Sequence, residues 1–349
     1  MREAGDVLLP VGDGVQKELN TSYTQFDRLL YDLFENRFSG YLRISFWGFE
    51  GLLVLDAGRM VQGTTSEREI YLVGEQAVLR ILTKVQDPDG VIEIISLSNE
   101  IAITLGFALQ AVLHEDNDVL QKATIKDIVH FVGAEGITGY LDIEFHAQKG
   151  NGTLYFLEGQ PVDAIIRTPS GKVAGGQPVI AKILEISEKI HPDVRLYYTS
   201  GQPKIIEEYA FLLPWAHQRY MDFINDVIRV FNESIKQGVV RRKSFLDHLE
   251  ELKNQLAEEY PFFQPENDTL GFQNGQFVLK KILHHKSFLL GFTELVRQIM
   301  RRVPDRRLKK LDQEKILNAL LELQEHYGIP QQQFNVPTFV YRVFEERAL

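Results

Sequence analysis

The chain of 349 residues contains no cysteine, which excludes disulfides, thiolate metal sites and cysteine nucleophiles. No apolar run reaches about 18 residues, the length that a membrane-spanning helix requires. Residues 1–6 carry charges of both signs and lack the apolar core of a signal peptide. We therefore expect a cytoplasmic protein with no membrane span.

The familiar catalytic patterns are also missing. The chain has no Gly-x-Ser-x-Gly nucleophile elbow, so a hydrolase triad has no local support. Ser170-Gly171-Lys172 would fit a phosphate loop only with Gly at position 166 and Ser or Thr at 173, where Ile166 and Val173 stand. This stretch is better explained as a loop between a hairpin and a helix.

Two candidate pairs, one of histidines and one of carboxylates, have simpler explanations than catalysis. His284 and His285 are adjacent, so on a strand they would point to opposite faces, which favours a surface pair over a metal site. Asp56 and Glu158 fall at hairpin tips in different repeats, where acidic residues are common for turn reasons. We expect no enzyme activity, no cofactor and no metal.

The net charge of −10 is unevenly distributed. Residues 1–210 hold 18 Lys and Arg against 30 Asp and Glu, giving 18 − 30 = −12. Residues 211–349 hold 20 against 18, giving +2. The acidic part repels phosphate backbones, so nucleic acid is not expected to bind there.

One stretch of the chain occurs twice. Residues 38–44, FSGYLRI, return 99 positions later as ITGYLDI, and residues 51–58, GLLVLDAG, return 101 positions later as GTLYFLEG. Ile81-Leu82 returns as Ile183-Leu184 after 102 positions. A period of this size is typical of two similar domains and not of a solenoid, whose units have about 20–50 residues.

Each copy predicts the order helix, three strands, helix, strand. In the first copy, a helix from Ser22 or Thr24 to Glu35 begins with a capping-box pattern, Thr24 and Asp27, which the second copy repeats as Thr124 and Asp127. The remaining elements of the first copy are predicted at residues 41–46, 52–55, 60–64, 74–82 and 91–97. A linking helix is predicted over 99–113. Six apolar residues at equivalent positions are expected to be buried: Leu53, Leu55, Leu82, Leu154, Phe156 and Leu184.

After Pro214 the pattern becomes mainly helical. Apolar residues recur at helical spacing over 220–235 and over 245–256, which predicts a helical hairpin. Asn274-Gly275 predicts a β-hairpin near 270–283, and helices are predicted over 288–302 and 312–327. Residues 334–349 fit either a strand or a helix.

These patterns predict an α+β protein. Its two similar domains, each an antiparallel sheet with helices, are followed by a mainly helical C-terminal domain. The predicted boundaries are 1–21 for an N-terminal extension, 22–113 and 122–210 for the repeats, and 214–349 for the C-terminal domain.

The repeats resemble the PATAN domain. The resemblance rests on a strand after a glycine, a strand that ends in an acidic-glycine turn, a later glycine that opens a helix, and a final strand. In the first copy these are Gly40–Ile44, Gly51–Gly58, Gly74 and Val91–Ile94 after the turn Asp89-Gly90; the second copy has Pro192-Asp193 in place of that turn. The resemblance implies a prokaryotic regulatory module that acts by protein–protein contact without chemistry of its own. The layout is also similar to that of an uncharacterised archaeal family.

A basic run covers residues 280–310, with ten Lys and Arg against Glu294 and Asp305, so that 10 − 2 = +8. Such a density can bind phosphates, anionic lipid or an acidic protein surface, but cations at a helix C-terminus also offset the helix dipole. Few aromatic residues interleave with the run, so base stacking is not indicated. The candidate partner-docking residues are Lys280, Lys281, Arg297, Arg301, Arg302, Arg306 and Arg307.

Two functions follow as hypotheses. The first is a cytoplasmic adaptor that binds a protein partner, such as a signalling or motor component. The alternative is a nucleic-acid-associated regulator that uses residues 280–310. The sequence leaves the oligomeric state open, including a homo-oligomer.

Overall fold

The computed structural model describes residues 8–145, 150–199, 205–236, 245–303 and 311–345. The chain divides into two compact units, residues 1–208 and 209–349. Both sequence repeats lie in the first unit, and the mainly helical region forms the second. The α+β class predicted from the sequence is confirmed.

The first unit contains two six-stranded antiparallel sheets, one for each repeat. The first repeat comprises β1 (Asp13–Asn20), α1 (Phe26–Glu35), β2 (Gly40–Phe46), β3 (Phe49–Asp56), β4 (Arg59–Glu67), β5 (Ile70–Val73), α2 (Glu75–Lys84) and β6 (Val91–Ser96). After α3 (Asn99–Ala108), the second comprises β7 (Val112–Leu113), α4 (Asn117–Leu120), α5 (Ile125–Glu135), β8 (Gly139–Glu144), β9 (Asn151–Leu157), β10 (Gln160–Arg167), β11 (Val173–Gly175), α6 (Gln177–Lys189) and β12 (Asp193–Tyr198).

The two sheets have the same strand order. The first runs β1-β6-β2-β3-β4-β5, and the second runs β7-β12-β8-β9-β10-β11. Four of these strands, β1, β5, β7 and β11, are not predicted by the sequence, and all four lie at sheet edges. Edge strands pack on fewer neighbours than central ones, so their sequences alternate less. Residues 13–20, predicted as part of an N-terminal extension, therefore belong to the first sheet.

The same turn joins β3 to β4 in the first sheet and β9 to β10 in the second. Gly58 has φ +81° and Gly159 has φ +82°, a conformation that favours glycine. A Cβ atom at Gly58 would lie 2.5 Å from the Cα of Phe34, and one at Gly159 would lie 3.0 Å from the Cα of Gly133. The repeated glycine therefore permits both the turn and the close approach of a helix backbone.

The repeats bury their predicted core with two exceptions. Leu53, Leu55, Leu154 and Phe156 are at most 1% exposed. Leu82 and Leu184 are only half-buried, because the neighbouring Ile81 and Ile183 face the sheet and each helical residue turns about 100° from the last.

Helix α3 lies between the two sheets. Ala102 and Leu105 are fully buried, and the helix contacts β2, β3 and β4 of the first sheet and β8, β9 and β10 of the second. A helix that is apolar on all sides is expected in such a position. The predicted linking helix ends earlier than expected, since residues 112–113 form β7. Residues of both repeats pack with α3 in one apolar cluster.

The second unit is built around α7 (Gln218–Lys236) and α9 (His285–Arg302). Its other elements are β13 (Phe211–Leu212), α8 (Phe245–Leu256), short 3-10 turns at Pro261–Phe263 and Pro265–Asn267, β14 (Leu270–Gln273), β15 (Gln276–Leu279), β16 (Leu283–His284), α10 (Gln313–Tyr327) and α11 (Val336–Phe344). Residues 336–344 of the ambiguous tail form the helix α11. Phe223, Phe231, Phe288 and Phe292 are fully buried in the core, and each such side chain contributes about 1.5–3 kcal/mol.

Local signals are accurate in some places and wrong in others. The predicted capping box forms at Thr124 and Asp127, with both reciprocal hydrogen bonds. In the first repeat α1 begins one residue later, at N-cap Gln25, and the Thr24 hydroxyl donates instead to the carbonyl of Asn20. The Asn274-Gly275 hairpin forms as predicted, although its second strand ends at Leu279.

Candidate functional site

The basic run of the second unit makes ion pairs within that unit. Lys280 Nζ lies 2.7 Å from Asp268 Oδ1, and Arg302 Nη1 lies 3.1 Å from Glu251 Oε1. Arg297 pairs with Glu294 one turn earlier on α9. These three cations therefore have a structural role whether or not they also bind a partner.

At the described positions of the run, the cations lie on separate elements. Arg301 is exposed and Arg302 is half-buried in the last turn of α9, where positive charge offsets the helix dipole. Lys281 is half-buried beyond β15. Arg306 and Arg307 lie outside the described residues.

The two adjacent histidines do not form a surface pair, so that prediction is wrong. His284 ends β16, and its Nδ1 lies 2.9 Å from the Ser287 hydroxyl. His285 begins α9, is 5% exposed, and has its Nε2 3.0 Å from the Tyr220 hydroxyl. Burial lowers the pKa of His285 to about 4. The chain turns from strand to helix between these residues, so strand alternation does not apply.

Metal ligation has no support in the described part of the chain. Within it, no three His, Asp or Glu side chains are placed to hold a metal ion. The loop at Ser170-Gly171-Lys172 connects two strands, and the Lys172 amide donates to the Thr168 hydroxyl at 3.1 Å. Asp56 and Glu158 lie at the tips of two different sheets.

Tyrosines between the two sheets form a further cluster. Tyr41 donates from its hydroxyl to the carbonyl of Pro10 at 3.2 Å, and Tyr155 donates to that of Leu8 at 2.7 Å. Burial raises the pKa of Tyr41 to about 12 and that of Tyr155 well above its usual value. Both hydroxyls thus stay protonated and hold residues 8–10 by hydrogen bonds.

A fully exposed tryptophan, Trp47, stands at the β2–β3 turn. The residues around it are anchored: the Phe46 and Phe49 rings are 5.9 Å apart in an edge-to-face contact, and Phe49 is 3% exposed. A Cβ atom at Gly90 would lie 2.3 Å from the Phe46 ring, so that ring packs directly on the loop before β6. Trp47 is therefore held outward by a rigid hairpin.

Two more exposed apolar residues lie at the same end of the sheet. Tyr23 is 92% exposed just after β1, and Ile70 is 63% exposed at the start of β5. The amide of Thr21 donates to the carbonyl of Gly90 at 2.9 Å, which fixes the segment before Tyr23. We call Tyr23, Trp47 and Ile70 the apolar rim. Since neighbouring strands are about 4.8 Å apart, the rim spans roughly 24 Å across six strands.

The rim is not among the residues that the sequence singles out. Trp47 directly follows the predicted strand 41–46 and has Phe46 and Phe49 close to it, a pattern that does not show which of these aromatic side chains lies in the turn. The sequence feature that marks this turn is Gly48, directly after Trp47. In the structure its φ of +72° forms the turn.

The described residues contain no helix long and apolar enough to cross a membrane. No curated protein and no solved structure matches the chain. Residues 8–106, which span β1 to most of α3, are similar to a family described as an uncharacterized protein conserved in archaea (DUF2226).

Proposed function

We propose that the protein is a non-catalytic adaptor that binds another protein through the apolar rim of its first unit. The observation that supports this is the full exposure of Trp47 on an anchored hairpin. Tryptophan and tyrosine dominate the binding energy of many protein interfaces, because they bury a large area and lose little conformational freedom. A rigid hairpin lowers that entropic cost further.

The resemblance of the repeats to the PATAN domain favours the same proposal. It suggests a cytoplasmic regulatory role in prokaryotic signalling or motility, with a signalling or motor component as the partner. The shared strand order of the two sheets is compatible with a repeated interaction module. The second repeat differs in sequence between β8 and β9, where residues 146–149 are His-Ala-Gln-Lys and include no tryptophan.

The alternative, a nucleic-acid-associated regulator that uses residues 280–310, has weaker support. Lys280, Arg297 and Arg302 pair with acidic side chains of their own unit, which lowers the positive potential available to a phosphate backbone. The net charge of −12 over residues 1–210 further opposes the approach of a polyanion.

Affinity capture with three forms of the full chain tests the adaptor proposal. The wild type, Trp47→Ala and the control Tyr341→Ala are immobilised and incubated with an extract of the cells that produce the protein. Tyr341 is 64% exposed on α11, so the control also removes an exposed aromatic ring. We expect at least one protein to bind the wild type and Tyr341→Ala but not Trp47→Ala.

The captured protein is then purified and titrated against the same three forms. We expect Trp47→Ala to weaken binding by at least about 30-fold, which corresponds to a hot-spot loss of about 2 kcal/mol. If all three forms capture the same proteins with equal affinity, the rim is not a binding site.

A further inference from the structure

Strand β5 forms one edge of the first sheet, and we infer that this edge binds an extended, basic strand of a partner protein. The inference rests on the proposed adaptor function and specifies how the partner is recognised. Its binding mode is the addition of one strand to an existing sheet, in which main-chain hydrogen bonds supply affinity and side chains supply specificity.

The first step concerns the main chain of β5. The amide of Gly74 donates to the carbonyl of Gly63 at 2.9 Å, which makes this pair a hydrogen-bonded one. Hydrogen-bonded and non-hydrogen-bonded pairs alternate along an antiparallel ladder, so the pairs at Tyr71 and Val73 are non-hydrogen-bonded. The N–H and C=O groups of Tyr71 and Val73 therefore point away from β4. Within the described residues they have no other main-chain partner.

The second step concerns the side chains. Strand β5 reads Ile-Tyr-Leu-Val, and its two ends, Ile70 and Val73, are 63% and 36% exposed. It carries neither lysine nor proline, the residues with which proteins commonly block an open edge. Ile70 also belongs to the apolar rim, so the open edge continues directly into that surface.

The equivalent edge of the second sheet differs. Strand β11 has only three residues, Val173-Ala174-Gly175, which offer little apolar contact area. A Cβ atom at Gly175 would lie 2.8 Å from the side chain of Val11, so the N-terminal segment packs against this strand. Strand β5 is therefore the better acceptor of the two, and β11 provides a matched control.

The third step concerns charge. Glu67 and Glu69 precede β5 and Glu75 follows it, while the cations at these ends are Arg68 and Arg80, the latter paired with Glu67. This local excess of acid, within a region of net charge −12, favours a basic strand. A second copy fits poorly. The β5 edge of another copy carries the same acidic ends, so like charges oppose its addition to this edge.

The first experiment selects random dodecapeptides displayed on phage against the full-length wild-type protein. We expect enriched peptides to contain alternating β-branched residues flanked by Lys or Arg. Fluorescence anisotropy then gives their affinity for the wild type, Val73→Pro and Val173→Pro. Proline at position 73 removes an outward N–H and leaves the ladder to β4 intact. Position 173 on β11 is equivalent to Tyr71 and, like position 73, lies in a non-hydrogen-bonded pair. We expect at least about tenfold weaker binding to Val73→Pro and unchanged binding to Val173→Pro.

A second measurement decides the matter even if Val73→Pro fails to fold, as judged by circular dichroism. The best peptide is N-methylated at alternate residues in two frames. We expect one frame to abolish binding to the wild type and the other to retain it, because only one set of amides faces β5. The inference is overturned if no peptide is enriched, if both frames bind alike, or if folded Val73→Pro binds as the wild type does. If the peptide experiments fail but capture of a partner still depends on Trp47, the inference about β5 is wrong and the adaptor proposal stands. If capture does not depend on Trp47, the adaptor proposal itself is wrong.

Discussion

The buried histidine of the second unit makes stability depend on pH. His285 is 5% exposed, and its Nε2 shares a hydrogen bond of 3.0 Å with the Tyr220 hydroxyl. His217, His284 and Lys286 act on it electrostatically. Burial is the main reason why its pKa falls to about 4, and the neighbouring positive charges add to this effect. A proton on His285 is therefore disfavoured in the folded state.

The sign and size of the effect follow from linkage. An unfolded histidine has a pKa of about 6.5, so between pH 6.5 and pH 4 the unfolded chain binds more protons than the folded one. The stabilisation is fully present above pH 6.5 and is lost as the pH falls through 4. With about 1.4 kcal/mol for each pKa unit, the loss between pH 7 and pH 4 is about 3 kcal/mol.

Tryptophan fluorescence can follow this loss in the second unit. The chain has two tryptophans, so Trp47→Phe leaves Trp215 as the only one. Urea unfolding at pH 7 and pH 4 is compared between this background and the same background with His285→Gln, whose side chain is neutral and can still hydrogen-bond to Tyr220. We expect the glutamine variant to lose about 3 kcal/mol less on acidification. Equal losses in the two proteins, within about 0.5 kcal/mol, would refute the reasoning.

Three further predictions concern turns, core and charge. Gly58→Ala should destabilise the first unit by at least about 2 kcal/mol, because this residue has a positive φ and lies against a helix backbone. The control Gly136→Ala, which also has a positive φ but open space around it, should cost only about 1 kcal/mol. Thermal and urea unfolding measure both costs, and equal values would contradict a clash at Gly58. Leu105→Ala should lower the free energy of unfolding by about 2–5 kcal/mol, since this residue is fully buried between the sheets; a change below about 0.5 kcal/mol would show that the two repeats do not depend on α3. Neither the wild type nor the double variant Arg301→Glu/Arg302→Glu should bind generic duplex DNA tighter than about 1 µM at physiological salt. Titration by fluorescence anisotropy measures this affinity. Tighter binding by the wild type that falls steeply with salt would favour the nucleic-acid alternative.

The internal repeat carries most of the information that the sequence gives about the fold. Turn glycines such as Gly58 and Gly159, and the spacing of apolar residues between them, predict equivalent central strands in both copies. These strands pack on two sides, so their patterns are strong. The edge strands β1, β5, β7 and β11 lack a partner on one side, and no comparable pattern marks them.

The candidate site is a different case. The sequence draws attention to charge, and the structure shows that Lys280, Arg297 and Arg302 already pair within their unit. The sequence does not single out Trp47, because an aromatic residue can stand in a core or on a surface and its residue type does not distinguish the two. His285 is misjudged for a similar reason: whether a side chain is buried depends on elements such as α7, which lies about 65 residues earlier in the chain.

By itself, the sequence determined the α+β class, the duplication, the turn positions and the helical C-terminal region. These depend on local conformational preference and on periodicity, which neighbouring residues encode. Only the tertiary structure decided that both repeats enclose α3, that β5 leaves an open edge, and that Tyr23, Trp47 and Ile70 lie at the same end of a sheet. Those features arise from contacts between residues far apart in the chain, and strand order, which places them side by side, is set by the packing of the whole unit.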